Sequence, residues 1–166
     1  MSQQLRSAFG HYATGVTIIT TQGVAGEPVG LTANSFSSLS LDPPLILWSI
    51  ACTSSSYEAF RAARCFAVHV LHAGQGELAR VFSTRNIDRF AGVATSAGAS
   101  GAPLLPDFHA RFDCETHAQH PGGDHLIIVG RVLSAEERVG EPLLFYRGRF
   151  ASTAGQPERA RAFHCC

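Results

Sequence analysis

Short apolar and β-branched runs separated by turn residues dominate the first half of the chain. Such runs are typical of strands, because β-branched side chains fit a pleated, half-buried surface. The glycine-rich segment Gly23 to Gly26 predicts a hairpin turn between two of them. The pattern predicts strands over residues 15–21, 28–36, 45–50 and 66–71.

A strict alternation of apolar and polar residues begins at Ala110 and continues to Gln119. It predicts a half-solvated antiparallel strand, with Phe112 and Cys114 on one face and Asp113 and Glu115 on the other. About six to eight strands with a few short helices favour a mainly β fold, an antiparallel barrel, since closure removes the exposed edges of an open sheet. The turn at Pro121-Gly-Gly leads to strands predicted over 125–133 and, as the last one, 143–146.

Helical patterns are short. Leu5, Phe9 and Tyr12 recur at spacings of four and three, which predicts a helix over 3–11 docked by one face. Ser54 or Ser55 is suited to cap a second helix, with Glu58 in its first turns. The helices predicted after the first one cover about 55–63, 77–82 and, in the polar tail, 157–163, whereas 91–103 is predicted to be a loop of small residues.

The chain has 166 residues, a formal net charge of zero and no lysine. This length predicts one domain over 1–166. The arginines are scattered, so the footprint of a protein that binds nucleic acid or an anionic membrane is missing. Without lysine, Schiff-base chemistry and a lysine-bearing phosphate loop are excluded, and a phosphate must be held by arginine, hydroxyls or backbone N–H groups.

Targeting and cysteine patterns indicate a cytoplasmic protein. The first residues lack the apolar core of a signal peptide, and no apolar stretch approaches the roughly 20 residues that span a bilayer. Five cysteines without a Cys-x-x-Cys spacing argue against a disulfide framework. We interpret Cys65 and Cys114 as small core residues, whereas Cys52 could approach a ligand and no role follows for Cys165 and Cys166.

The segment from Gly30 to Leu45 concentrates hydroxyls, an amide and turn residues between two predicted strands. A rigid sheet would present this segment, which suits it to hold a polar ligand. Serine, asparagine, aspartate and proline are also ordinary turn residues, so a plain connecting loop is the alternative.

Three further patterns do not carry a site on their own. Gly74 to Ala79 matches the loose G-x-G-x-x-A fingerprint, but 95–100 lacks the acidic residue that a dinucleotide fold needs, so a turn and a helix start are predicted. No Gly-x-Ser-x-Gly elbow of a hydrolase is present. The cluster His109, Cys114, His117, His120, Asp124 and His125 has poor spacing for a metal, and His117 and His120 are interpreted as surface residues.

Four motifs occur together in one order: Ala13 to Val16, Gly30 to Leu45, Gly123-Asp-His125 and Pro142 to Gly148. Their order and spacing resemble those of the flavin reductase family. The resemblance covers about 5–150. It implies an FMN-binding split β-barrel, a homodimer, and an NAD(P)H-dependent reductase component that supplies reduced flavin to a separate flavin-dependent monooxygenase.

The resemblance also implies roles for individual residues. His125 follows Gly122-Gly-Asp and is expected to border the flavin face where nicotinamide docks, as the catalytic residue. Thr32, Ala33 and Asn34 are expected to meet the isoalloxazine ring. The remaining cofactor-binding candidates are Ser35, Ser49, Ser54 and Ser55 for the ribityl chain and phosphate, Arg80 and Phe82 near the flavin, and Tyr146 and Arg147 beside the nicotinamide pocket, where a plain helix and a plain strand are the alternatives.

The implied cofactors are FMN or FAD with NADH or NADPH. The bulky Trp48 before Ser49 and the absence of lysine depart from the commonest family pattern, so the flavin's identity stays open. Two rival functions remain: a flavin-binding electron carrier or redox sensor without reductase turnover, and a metal-binding β domain that uses the histidines at 109–125.

Overall fold

The computed structural model describes residues 2–153, so the helix predicted over 157–163 and the cysteines at 165 and 166 lie outside the described part. The α-helices are Ser2–Phe9 (α1), Tyr57–Ala62 (α2) and Gly76–Ser83 (α3). None of them has the length and apolar character needed to cross a bilayer. The strands are Thr14–Gly15 (β1), Thr17–Gln22 (β2), Pro28–Ala33 (β3), Ser37–Leu41 (β4), Pro44–Ala51 (β5), Cys65–Val70 (β6), Ser96–Ala97 (β7), Pro103–Leu104 (β8), Ala110–Gly122 (β9), His125–Glu137 (β10), Leu143–Tyr146 (β11) and Arg149–Ser152 (β12).

A 7-stranded antiparallel sheet in the order β3-β2-β6-β9-β10-β5-β4 forms the barrel wall. Its longest hairpin, β9–β10, pairs Ala110 with Glu137 at one end and Gly122 with His125 at the other. Register shifts beside Val129 mark a β-bulge, which increases the local twist that lets a sheet curl. The predicted antiparallel barrel with few short helices is confirmed.

The barrel core is built around Trp48, which is fully buried on β5. Its ring centroid lies 4.9 Å from that of Phe60 on α2 and 5.9 Å from that of Phe66 on β6. Burying side chains of this size stabilises the fold by about 1.5–3 kcal/mol each. Since successive residues of a strand point to opposite faces, the inward Trp48 directs Ser49 outward.

The barrel is split between its end strands. No backbone ladder joins β3 to β4 among residues 2–153. Instead, the hydroxyl of Ser35, just after β3, donates to the carbonyl of Ser49 and accepts its N–H, both at 3.0 Å. One side chain therefore extends the pairing of β4 with β5 just before the start of β4.

A second layer packs against the barrel and carries its own core. The 3-stranded sheet β1-β11-β12 and helix α3 bury Val16, Leu71, Phe82 and Leu143 together. Strand β6, which precedes α3, pairs antiparallel with both of its neighbours, so the segment Gly74 to Ala79 does not belong to a parallel dinucleotide-binding unit.

Helix α3 approaches β3 closely because residue 30 is glycine. A Cβ at Gly30 would lie 2.7 Å from a ring carbon of Phe82 and 3.1 Å from one of Phe90, closer than side chains tolerate. The missing methyl group allows the two aromatic rings to pack edge to face with centroids 5.0 Å apart. This contact fixes α3 and the segment after it beside the end of β3.

The first helix forms as predicted but is not docked on this chain. Leu5, Phe9 and Tyr12 are 49%, 72% and 78% exposed. Periodicity indicates that a helix has an apolar face, but it does not say which partner covers that face. The predicted docking by one face is therefore wrong for the single chain.

Four local predictions differ from the structure. Residues Ser37–Leu41, predicted to belong to the turn segment between two strands, form strand β4 and pair with β5. Strand β12 was missed because Arg149–Ser152 holds a single large apolar residue, and it pairs with β11 through a turn at Arg147 and Gly148, both with positive φ. The predicted loop over 91–103 contains the small strand β7 and the first residue of β8. Asp113 was expected on the solvated face of β9 but is only 2% exposed. Its carboxylate accepts hydrogen bonds from the N–H of Ser100, at 3.0 Å, and from the hydroxyl of Ser100, which hold the loop over it.

Candidate active site

A cleft of about 290 Å³ opens where the ends of β3 and β5 meet the end of α3 and the start of β10. Its walls combine polar groups with the half-buried, apolar Leu31. The structure brings most of the candidate residues to this cleft, from separate parts of the chain: Thr32, Ala33, Asn34, Ser35, Ser49, Ser54, Ser55, Phe82 and His125.

Three candidate residues lie outside the cleft. Arg80 points away because it is two residues from Phe82 on α3, about 200° around the helix. It pairs with Glu77 and places its guanidinium carbon 5.5 Å from the ring centroid of Phe150. Tyr146 and Arg147 sit at the β11–β12 turn, where Arg147 donates its N–H to the carbonyl of Gly10 at 3.0 Å. A linear motif gives no sign of which way such side chains point.

Two hydroxyls of the cleft wall are committed to the fold. Thr32 donates to the carbonyl of Ala79 on α3 at 2.7 Å, and Ser35 forms the double contact with Ser49. These bonds hold β3, α3 and β5 at fixed spacing. The side chains of Thr32 and Ser35 therefore shape the cleft rather than offer free hydroxyls to it.

Backbone groups at the edge of β3 are directed toward the cleft. The carbonyl of Gly30 accepts from Arg89 at 2.7 Å, so it points away from β2. In an antiparallel strand the N–H and C=O of one residue share a side and the side alternates along the chain. The N–H of Thr32 therefore points the same way as the Gly30 carbonyl, beside the exposed side chain of Asn34.

The serines before α2 differ from their predicted roles. The residue that caps α2 is Ser56, not Ser54 or Ser55, and its side chain makes no capping bond. Ser54 instead accepts the N–H of Ser56 at 3.2 Å, which leaves its hydroxyl proton free to be donated. Because α2 has only six residues, its dipole is a weak source of charge, and the hydroxyl of Ser54 is the stronger contribution.

Two arginines that the sequence analysis missed line the cleft, Arg85 and Arg89. Neither forms an ion pair with a carboxylate among residues 2–153, in contrast to Arg61, Arg111 and Arg131. Burial, and then the charge of Arg85, lower the pKa of Arg89. Two unneutralised cations at one end of a cleft make a site for an anion such as phosphate. Their spacing of four in a segment without regular structure gave no local signal.

His125 begins β10 at the other wall, 43% exposed at its side chain. Its Nδ1 lies 2.7 Å from Oδ1 of Asp124, and this hydrogen bond, followed by the charge of His125, holds the pKa of Asp124 below its ordinary value. With the proton on Nδ1 directed to the carboxylate, Nε2 is left to contact a ligand.

The arrangement suits a reaction whose chemistry is carried by cofactors. No serine hydroxyl in residues 2–153 is hydrogen-bonded to a histidine ring, and these residues hold no group of three metal-ligating side chains. The cleft offers backbone N–H groups, a free hydroxyl, two cations and an imidazole, together with the half-buried, apolar Leu31. Such a donor set fits a planar, partly apolar ring system that ends in a phosphate.

Comparisons with known proteins agree with this chemistry. The model of the flavin reductase like domain matches residues 9–154. FMN reductase (NADH) SmoA of Agrobacterium fabrum is 46% identical over 155 residues, 93% of this chain and 88% of that protein. The reductase component of the flavin-dependent trigonelline monooxygenase of Acinetobacter baylyi is 41% identical over 152 residues, 92% of this chain and 49% of that protein. The chain thus spans about half the length of some curated relatives that it matches.

Among solved structures, the NADH:FAD oxidoreductase SgcE6 of Streptomyces globisporus C-1027, in complex with NAD and FAD fragments, superposes with a TM-score of 0.86. It is 40% identical, and the match covers 96% of this chain and 95% of that one.

Proposed function

This chain belongs to the flavin reductase family, and from that premise we propose that it transfers hydride from NADH or NADPH to FMN or FAD. The reduced flavin would then pass to a partner monooxygenase. The observation that carries the proposal is the single cleft in which Thr32, Asn34, Ser54 and His125 meet, although they come from separate elements of the fold.

The flavin, when bound, supplies the hydride acceptor, and the nicotinamide supplies the donor. The N–H of Thr32 and the side chain of Asn34 would donate hydrogen bonds to the ring edge on which negative charge develops. The hydroxyl of Ser54 and the guanidinium groups of Arg85 and Arg89 would hold the phosphate. Leu31 would supply apolar contact surface, whereas Phe82 and Ile50 beside the cleft are almost fully buried in the two cores.

His125 would orient the nicotinamide through Nε2, while Asp124 holds the imidazole ring by Nδ1. No proton transfer is required of His125 in this role. Its contribution is a fixed distance between the two ring systems, which enters the rate of hydride transfer as an orienting contact.

The proposal includes release of the product. The cleft is open to solvent, and its residues would hold flavin through a few hydrogen bonds and two exposed or half-buried cations. Moderate affinity suits an enzyme whose product leaves for another protein. Cytoplasmic location is also part of the proposal.

The first test is the visible spectrum of the purified protein, followed by consumption of NADH and NADPH with added FMN and FAD in turn. Rapid oxidation of the nicotinamide with free flavin supports the reductase. Tight flavin binding without turnover supports the electron carrier or sensor instead. A colourless protein that gains thermal stability with zinc but not with flavin would overturn the proposal.

A homodimer is also part of the proposal. The apolar face of α1, formed by Leu5, Phe9 and neighbouring Tyr12, is uncovered in the single chain. A second copy would bury it, and residues beyond α1 would extend the contact. Sedimentation of the wild type should give a dimer that Phe9→Asp weakens. A monomeric wild type would contradict this part of the proposal.

A further inference from the structure

The side chain of Arg89, on the segment after α3, forms hydrogen bonds with three elements around the cleft. Its Nε donates to the carbonyl of Thr84, directly after α3, at 2.9 Å. Its Nη1 donates to the carbonyl of Gly30 on β3 at 2.7 Å and to Oγ of Ser56, directly before α2, at 3.2 Å. Three of the five guanidinium donors are therefore used within the fold.

The bond to Gly30 anchors the free edge of β3. Strand β3 pairs with β2 alone among residues 2–153, so its other edge has no neighbouring strand. That edge carries the N–H of Thr32, the proposed ring contact, two residues beyond the carbonyl that Arg89 holds. The hydroxyl of Thr32, which donates to Ala79, is the second anchor. A strand edge with few contacts opens readily, so the Arg89 bond helps to fix the direction of the Thr32 N–H.

The bond to Ser56 connects the same guanidinium group to the turn over 54–56. Ser56 is 5% exposed, and its N–H donates to Oγ of Ser54 at 3.2 Å. Ser54 is the proposed phosphate contact at one end of the cleft, and Thr32 is the proposed ring contact at the other. Arg89 therefore joins the two ends of the site through its own hydrogen bonds.

Arg85 differs from Arg89, although both line the cleft. Arg85 is exposed and forms no ion pair with a carboxylate among residues 2–153, whereas Arg89 is half-buried. A lysine at position 89 would keep the positive charge as a point charge on a flexible stem. It would not reproduce the three bonds, because they need donors from two nitrogens of one rigid plane.

We propose that Arg89 is a positioning residue for hydride transfer: it ties the free edge of β3 to the turn over 54–56 and so fixes the distance between the ring contacts and the phosphate contacts of the flavin. The inference rests on the proposed function and gives Arg89 a role in the rate, beyond the charge that it shares with Arg85. Hydride transfer depends steeply on how the acceptor ring is held, and a displacement of about 1 Å can slow a reaction about 100-fold.

The test is Arg89→Lys, which keeps the charge and removes the planar group. Ser56→Ala is the milder variant, because it removes one of the three acceptors and leaves the backbone N–H that Ser54 accepts. Arg131→Lys is the matched control, since Arg131 lies outside the cleft and pairs with the single carboxylate of Glu115, which an ammonium group also reaches. Four quantities are measured: the rate of flavin reduction at saturating flavin and NADH, the visible spectrum of the bound flavin, flavin affinity against salt, and the melting temperature.

We expect Arg89→Lys to slow flavin reduction at least about tenfold and to shift the spectrum of the bound flavin, because the Thr32 N–H is no longer held toward the ring. The salt dependence of flavin binding should persist, since the charge is kept, whereas Arg85→Gln should reduce it. Ser56→Ala should act in the same direction as Arg89→Lys, by about threefold in rate. Arg131→Lys should change neither the rate nor the spectrum.

A wild-type rate and spectrum in Arg89→Lys would overturn the inference, because Arg89 would then supply charge alone or, with a lowered melting temperature, stability alone. If Arg89→Lys does not fold, Ser56→Ala decides, and an unchanged rate and spectrum there would overturn the inference as well. A wild type that oxidises no NADH with FMN or FAD would instead refute the proposed function. The spectral comparison needs no turnover, so the two failures are distinguishable.

Discussion

Two regions of this protein are rich in polar side chains, and they differ in what those side chains contact. The first, which we call the loop bracket, consists of Thr20, His69, Ser100 and Asp113 and holds the loop over 98–105 against the barrel. His69 donates from Nδ1 to the carbonyl of Ile18 at 3.1 Å and accepts the N–H of Leu105 at Nε2 at 3.0 Å. Thr20 donates to the carbonyl of Pro103 at 2.5 Å.

The second region is the cleft, where polar groups are left with open donors. Arg85 has no carboxylate partner among residues 2–153, and the hydroxyl proton of Ser54 and Nε2 of His125 are uncommitted. Because an unsatisfied polar group is costly only when water is excluded, such groups persist at the rim of an open cleft. Polar residues thus indicate a binding site where the chain leaves them unpaired, and indicate architecture where it pairs them.

The largest effect on the loop bracket is expected when the pH is lowered. Burial lowers the pKa of His69 from 6.5 to about 4. As the pH falls from about 6.5 to 4, the unfolded chain binds a proton at this histidine that the folded chain does not. The free energy of unfolding should therefore fall by about 3 kcal/mol over this range. Urea unfolding across this range should show the loss, and His69→Gln should remove that part of the slope. Parallel curves for the two proteins would contradict the assignment.

Ser35 tests the comparison from inside the cleft, because it lines the cleft yet is fully paired. Ser35→Ala removes both bonds to Ser49 and should lower the free energy of unfolding by about 2 kcal/mol. Flavin affinity per folded molecule should change less than twofold. Urea unfolding and flavin titration measure the two effects, with the exposed Ser37→Ala as control. Reduced affinity at unchanged stability would move Ser35 to the group that contacts ligand.

His125 tests the open side of the comparison. His125→Ala should raise the KM for NADH or slow flavin reduction by about tenfold, the loss of one orienting contact worth about 1.4 kcal/mol. Melting temperature and flavin affinity should move little. Stopped-flow reduction measures the rate, and the exposed His120→Ala in the same hairpin is the control. An unaltered rate with a clear drop in melting temperature would make His125 a structural residue.

The smallest effect is expected at Ser54. Its oxygen already serves the N–H of Ser56, so Ser54→Ala should cost flavin binding about 1 kcal/mol, roughly fivefold in affinity. The neighbouring Thr53→Ala, which does not line the cleft, should leave affinity unchanged. Calorimetric titration with FMN and FAD decides between them, and equal affinities in both variants would remove Ser54 from the phosphate site.

Patterns that repeat along the chain were sufficient to predict the barrel, because the alternation after Ala110 follows directly from the geometry of a half-buried strand. The cleft was located through ordered motifs rather than through periodicity. The sequence analysis did not identify Arg85 and Arg89, since their proposed role depends on the absence of nearby carboxylates in the folded chain. Ser35 and Thr32 were predicted as cofactor-binding residues and line the cleft, but only their hydrogen bonds show that their hydroxyls are paired within the fold.

Gly30 has no side chain to separate β3 from the aromatic rings that pack beside it. The rings of Phe82 and Phe90 lie against the strand at this one residue and Arg89 donates to its carbonyl, so the distance from α3 to β3 is set by the Phe82 ring against bare backbone. An engineer who wishes to widen or narrow the cleft has no adjustment available at position 30, since even a methyl group collides there. A change in the distance between α3 and β3 must come from substitutions of Phe82 or Phe90 by smaller residues, which leave the backbone of β3 unchanged.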